Sequence, residues 1–520
     1  MTNLSKKRKI LIMVGVMLGL LLASLDSTVV NTAMPKIIGS LNGFNLYTWP
    51  VIAYLLCMTI AMPLFGKLAD IYGYKPVYVF GIVIFLTGSA LCGLSQNMLQ
   101  LAFFRGLQGI GGAILISNTL AIIGVLFAPA ERAKYGGFIS SAGAIASIIG
   151  PLLGGFITDN LSWRWVFYVN VPIGIIALVI IMFALPAHKE AHERRKIDYP
   201  GAAVLIVALI PMMLAFTLGG KDYAWNSIQI IGTFTFSLIM LIVFALIERK
   251  ASDPIIPLSF FRNSVFNFSV IEMFLLSAVM MGSSILIPLF LQGVTGTSAS
   301  KSGAITSPMT LSFILGTSIS GIIISKTKKY KIQAIIGFAI MCIGTVLLSF
   351  LGVKASSFQV VLDMIVLGSG MGIVMPIFIV VVQSAFSEKQ IGVVTSCVQF
   401  FRFVGSTIAS AIFGTILSNS MNNGLNSLDV SKLPVNVTGI LKNPNILSNA
   451  EALNGIKAKI PTTILPAFKK LLEQVKQVLS NSIHQVFVIS IIIAAVALFT
   501  VLFMKEIPLN NNSSKDSSVS

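Results

Sequence analysis

Apolar runs separated by charged or Gly/Pro-rich breaks recur at residues 10–34, 48–66, 75–95, 98–127, 135–158, 164–185, 199–219, 227–247, 264–292, 302–325, 332–353, 357–383, 391–418 and 483–505. A helix rises about 1.5 Å per residue, so about 20 residues cross a hydrocarbon core of about 30 Å. The pattern therefore predicts an all-α polytopic membrane protein with fourteen transmembrane helices. An even number of spans puts both termini on one side, and loop charge selects the side. The terminal side carries 22 Lys and Arg, with Lys189, Arg194, Arg195 and Lys196 in one cluster and Lys326, Lys328, Lys329 and Lys331 in another. The short loops opposite carry five: Lys36, Arg164, Lys221, Lys301 and Lys354. The seven Lys of the 64-residue loop 419–482 count for little, because long loops translocate largely regardless of charge. Both termini are expected in the cytoplasm of a cell-membrane protein, with loop 419–482 outside. Trp49, Trp163, Trp165 and Trp225 then fall at outer span ends, where interfacial anchors are expected.

Composition changes this picture little. The chain is 55% hydrophobic and 10% charged, against about 25% charged residues in soluble domains. Its +18 formal charge lies in short clusters between apolar runs and forms no patch with interleaved aromatics, which argues against nucleic acid as a partner. Lys6-Lys7-Arg8-Lys9 precede a stretch from Ile10 to Ala33 that is too long for a signal h-region and contains Asp26, so it reads as a retained first span. Cys57, Cys92, Cys342 and Cys397 all sit in apolar runs, where a thiol packs as a small hydrophobe. No disulfide, metal site or cofactor is expected. His188 and His192 stand four apart in a basic connecting segment without further ligands, which suits a solvated loop better than a metal. No Gly-rich phosphate loop and no nucleophile–base constellation stands out, so the chain does not read as an enzyme.

Ionisable groups within the spans carry more information, since each costs about 2.5–3.5 kcal/mol on insertion scales unless paired or hydrated. They are Asp26, Arg105, Glu272, Asp363 and Arg402. Asp26 and Arg105 lie at similar heights in spans 1 and 4, where they either face one cavity or form a permanent pair that locks packing. Glu272 is near mid-depth in span 9 and is the most isolated acid: a reader of cationic charge, a proton carrier beside Asp26, or a helix-bonded glutamate. Asp363 is nearer the outer end of span 12, where vestibule water can solvate it. Arg402, flanked by Phe400, Phe401 and Phe403, suits a substrate, Glu272 or backbone carbonyls as partner. Phe401 and Tyr54 can stack on a cation or face neighbours and lipid.

A faint internal repeat divides the chain. Gly66-Lys67-Leu68-Ala69-Asp70-Ile71-Tyr72-Gly73-Tyr74-Lys75 joins spans 2 and 3; Gly321-Ile322-Ile323-Ile324-Ser325-Lys326-Thr327-Lys328 joins spans 10 and 11. If the two correspond, residues 1–190 and 261–520 are six-helix halves and 191–260 is an inserted pair with its linkers, a 6+2+6 plan with the midplane site common among transporters. Before the last span, Phe468, Leu471, Leu472, Val475, Val478, Leu479, Ile483 and Val486 recur at three- and four-residue steps from Ala467. That predicts an amphipathic helix running straight into span 14, packed on the membrane surface or folded over the cavity mouth as a lid.

Several motifs carry a family resemblance. Leu25-Asp26-Ser27-Thr28-Val29-Val30-Asn31-Thr32-Ala33-Met34-Pro35 resembles the L-D-x-T-x-V-N-x-A-L-P signature of the fourteen-helix drug:proton antiporter branch of the major facilitator superfamily. Residues 66–75 are similar to the superfamily's G-x-L-A-D-R-x-G-R-K loop, with Ile71 and Tyr74 in place of two arginines. Leu101, Arg105, Gln108, Gly109, Gly111, Gly112 and Ala113 resemble L-x-x-x-R-x-x-Q-G-x-G-x-A, and Gly143, Gly150, Pro151, Gly154 and Gly155 resemble the span-5 motif associated with antiporters. Trp163 to Gly174 and Ile287 to Gln292 are further matches. The resemblance implies two six-helix halves, alternating access, and export of lipophilic or cationic small molecules in exchange for protons. Asp26 with Arg105 is then the expected proton-coupling pair, and Glu272, Asp363, Arg402, Tyr54 and Phe401 are candidate substrate contacts. Gly66, Asp70, Gly73, Lys75, Gly150, Pro151, Gly154 and Gly155 are candidate gating positions. Asp70 suits a cap on a helix N-terminus of the opposite half, holding an outward-open state, or is a solvated loop carboxylate. Lipids are the expected surroundings, and a monomer the expected state. A nutrient importer or a lipid or metabolite exporter on the same fold remains open at this point.

Overall fold

The computed structural model describes residues 4–41, 49–127, 129–186, 198–220, 223–251, 254–297, 299–353, 355–387, 390–428, 465–504 and 506. Its long helices are α1 (Lys6–Leu41), α2 (Trp49–Tyr72), α3 (Tyr74–Leu94), α4 (Met98–Leu126), α5 (Pro129–Asn160), α7 (Asn170–Ala184), α8 (Tyr199–Leu218), α9 (Ile228–Lys250), α10 (Ser264–Leu289), α11 (Ala299–Thr327), α12 (Lys331–Ser349), α13 (Ser357–Ser384), α14 (Ile391–Asn426) and α15 (Leu465–Leu502), with the one-turn α6 (Trp165–Tyr168) leading into α7. Among the described residues thirteen helical segments are long and apolar enough to cross a membrane, and α5 supplies a shorter apolar stretch, Ile145–Thr158. These match the fourteen runs. Several starts are set by local chemistry: the side chains of Asn97, Asp198 and Ser356 accept the backbone N–H of Gln100, Gly201 and Gln359 at 2.9, 2.8 and 3.1 Å. Each satisfies a donor that the first helical turn leaves unpaired.

Helices α1–α7 pack chiefly on one another, as do α10–α15. Glycines permit the closest approaches: a Cβ on Gly109 would strike the Tyr54 backbone, and one on Gly372 the Phe313 backbone. In hydrocarbon no hydrophobic force drives helices together, so such tight packing supplies much of the association. The two bundles meet where α5 lies on α11 and where α2 and α4 lie on α14. Helices α8 and α9 pair with each other, and α8 touches α2 on one side and α14 on the other.

Three expectations change. Trp163 is buried, and its indole N–H donates to Ser40 Oγ at 3.0 Å; that of Trp225 donates to Thr415 Oγ1 at 2.9 Å. Both rings thus serve tertiary contacts. The amphipathic segment before the last span is continuous with that span as α15, but its apolar face turns to protein instead of the membrane surface. Phe468, Leu471, Val475 and Leu479 are buried in the apolar cluster of the α10–α15 bundle: Leu479 lies on Gly293 of the π-turn Phe290–Val294 that ends α10, and the neighbouring Val478 lies on Gly424 of α14. The residues between 428 and 465, most of the expected outer loop, lie outside the described ones.

Packing at α15 makes a testable distinction. Val475→Asn strands an amide in a buried site, a cost of about 3 kcal/mol, and should lower the thermal unfolding midpoint of the purified protein. Lys469→Asn, on the exposed face, should leave it unchanged. Equal effects would mean that the face does not pack as described.

Candidate functional site

Asp26 on α1 is fully buried, and side chains of α4 and α7 converge on it. The Arg105 guanidinium on α4 donates to Oδ2 at 2.5 Å. The Gln108 and Asn170 amides, on α4 and α7, each donate to Oδ1 at 2.8 Å. Around this core Arg105 also donates to Gln108 Oε1 at 2.8 Å, and Asn170 to Ser89 Oγ at 3.0 Å. Tyr54 on α2 lays its ring 4.1 Å from the guanidinium carbon, so the predicted cation under this aromatic is Arg105 itself. Removing either charge would strand the other in a dry site, which costs about 3–5 kcal/mol. The network is not closed: Arg105 Nε, Asn170 Oδ1 and the Tyr54 hydroxyl are buried without hydrogen-bond partners. Gln108 and Asn170 appeared in the sequence only as motif members. Gln108 follows Arg105 by three residues and so shares its helix face, a usable signal, whereas nothing local marks Asn170.

A second construction joins the bundles at one end. The Asp70 carboxylate, at the end of α2, accepts the backbone N–H groups of Gly392 and Val393 at 3.0 and 2.8 Å. These are orphan donors of the first turn of α14, where the helix dipole favours a negative charge. Tyr74, which stands where the family loop has an arginine, donates its hydroxyl to Asp70 at 2.6 Å. Gly66 allows the contact, since a Cβ there would overlap Ser396 and lie 2.8 Å from the Gly392 carbonyl. Gly73 turns the chain into α3 at φ 88°, a conformation that glycine tolerates, and Lys75 follows half-buried. Arg132 adds a bridge from α5 to the carbonyl of Gln383 at 3.0 Å, and Gln383 donates to Leu120 O at 3.0 Å.

The glycines of α5 pack it against α1. Cβ atoms at Gly150 and Gly154 would press on Thr28 and on the Val29 carbonyl, and Thr28 donates to Ala146 O at 3.1 Å. Gly155, by contrast, faces open space, so the expected close approach rests on Gly150 and Gly154. The side chain of Pro151 lies outside the described ones.

The remaining candidates do not converge. Glu272, buried on α10, accepts the Thr500 hydroxyl at 2.8 Å, and its Oε2 has no partner. Arg402 sits 4.9 Å over the Phe403 ring and is not paired with Glu272. Phe401 packs on Phe400 and Phe261. Asp363 is buried on α13, with Oδ2 unpartnered. A cavity of about 640 Å³ lies elsewhere, between α2, α8, α10 and α14 and away from the Asp70 end. None of the five predicted substrate contacts is among its lining residues.

A model of the Major Facilitator Superfamily matches residues 16–410. The chain belongs to this superfamily. Among superfamily relatives, Multidrug transporter protein MdtP of Bacillus subtilis (strain 168) is 38% identical, with 98% of this chain and 96% of the relative covered. Multidrug resistance protein 3 of the same organism is 36% identical, with coverage of 95% and 94%. The fold is similar to that of the human organic anion transporter MFSD10, with a TM-score of 0.58 at 14% identity and coverage of 94% and 99%. The chain is thus a multi-pass membrane transporter of the major facilitator type.

Asp70→Asn keeps the size of the side chain but exchanges a charged acceptor for a neutral amide at the α14 terminus. Such contacts differ by about 1–2 kcal/mol, so separation of α2 from the α14 terminus should become about tenfold more frequent. Spin labels placed across the α2–α14 contact would read this as a growing long-distance population; an unchanged distribution would remove Asp70 from the lock.

Proposed function

We propose that this superfamily member exports lipophilic small molecules across the cell membrane in exchange for protons, by alternating access between its two bundles. The observation that carries the reading is the buried Asp26–Arg105 pair with its two amide donors. Protonation of Asp26 neutralises one half of the pair and leaves the Arg105 charge uncompensated. The bundle must then rearrange or hydrate that charge. Asp26 and Thr28 share α1, and the Gly150–Gly154 face of α5 lies against that stretch, so a change at the pair bears on the helix that meets α11 across the bundle interface.

With both termini in the cytoplasm, the Asp70 end is the cytoplasmic one, and the state described is closed to the cytoplasm. Loop charge supports that orientation. The two Bacillus relatives named as multidrug proteins support export over uptake. Glu272 is a second proton acceptor in this reading: it is buried beside Thr500 with a free oxygen and stands away from the cavity wall.

In everted vesicles, protonophore-sensitive accumulation of a lipophilic dye is the expected activity. Asp26→Asn should reduce it at least tenfold with expression unchanged, and full proton-driven accumulation in that variant would sink the assignment. A single cysteine replacing Lys469, in a background without the four native cysteines, should react with an impermeant maleimide on whole cells. Labelling only after the cells are opened would reverse the orientation.

A further inference from the structure

The inserted pair has a use that its sequence does not disclose. Helix α8 gives the 640 Å³ cavity one wall through Met213, Phe216 and the Gly219-Gly220 turn. The facing wall is the stripe of α14 from Phe403 to Ser418, and Leu55 and Thr59 of α2 with Met281 of α10 complete it. The α8 wall is held in place: Phe216 packs edge-on to Phe234 of α9 at 4.9 Å, Trp225 stacks on Phe234, and Trp225 ties the hairpin to Thr415 of α14. Gly220 takes φ +74° there, and a Cβ on it would run into both Thr415 and the Trp225 indole. A cavity of this size falls within the roughly 300–1,000 Å³ of sites that enclose one drug-sized molecule.

The lining specifies what kind of molecule. No charged side chain stands among the described lining residues. The hydroxyls of Thr59, Ser406, Thr407 and Thr415 donate to the carbonyls of Leu55, Phe403, Phe403 and Ala411 at 2.7, 2.9, 2.9 and 2.9 Å. With their protons engaged, these oxygens have only lone pairs to offer. Thr59, Ser406 and Thr407 therefore present acceptors, while Ser410 and Ser418, which also line the cavity, keep hydroxyl protons to donate. Behind the wall lies a positive charge, since the Arg402 guanidinium rests on the ring of Phe403. A neutral apolar guest suits such a site, whereas a cation meets Arg402 and finds no acid.

We infer that this cavity is the substrate site of the outward-open state, that the inserted helix α8 forms its recognition wall, and that it selects neutral lipophilic molecules over cations. The inference rests on the export reading above, but its test needs no proton gradient, so either can fail alone.

The purified full-length protein is photolabelled with a neutral trifluoromethyl-diazirinyl benzyl alcohol, and the labelled residues are mapped by mass spectrometry. Labels should fall within Met213–Gly220 and Phe403–Ser418. Excess N-phenyl-1-naphthylamine should protect them, and excess tetraphenylphosphonium should not. Ser410→Trp, which fills the cavity, should abolish labelling, with retention of the wild-type unfolding midpoint checking its fold. Labels confined to other helices, or equal protection by the phosphonium cation, would overturn the assignment.

Discussion

Within a membrane no water completes an unmade hydrogen bond, and an ion survives there only if protein surrounds it. Asp26 meets that condition with a guanidinium and two amides drawn from α4 and α7. Three helices are thereby committed to one carboxylate. The small residues that let α2 and α4 close over the site, Gly109 and Gly112 against Tyr54, serve the same contact. The buried charge pair is costly, and under the proposed proton-coupled export its worth lies in being breakable by a single proton.

The pair and the lock are mechanically related. Arg105 and Leu120 occupy one helix, so about 22 Å of rigid α4 connects the ionic site to the Gln383 bond near the bundle junction. Asp70 closes the same junction by capping α14, and the far stretch of α14 lines the cavity. One helix thus carries the Asp70 cap at one end and a cavity wall further along. A tilt of α14 that breaks the cap must also reshape the cavity, the coupling that the proposed alternating access requires.

Helices α8 and α9 are joined more loosely to the rest, touching one bundle through α2 and the other through α14. Helix α8 adds an apolar surface to the cavity without adding a charge.

The span plan was legible because helix length and backbone satisfaction in hydrocarbon are constraints on every residue of a run, and they survive without tertiary information. The signature around Asp26, the Asp70 turn and the α15 periodicity were legible for a related reason: each is a pattern within one short segment. Partnership was not. Glu272 and Arg402 looked complementary by depth, yet one bonds Thr500 and the other stacks on Phe403, because depth along an axis says nothing of azimuth around it. Asn170 gave no local signal, and the uncharged cavity is assembled from four helices that no sequence window spans. The chain alone determined which residues cross the membrane and which buried charges need an explanation. Helix rotation and packing, set by where glycines admit a neighbour, decided which of those charges meet.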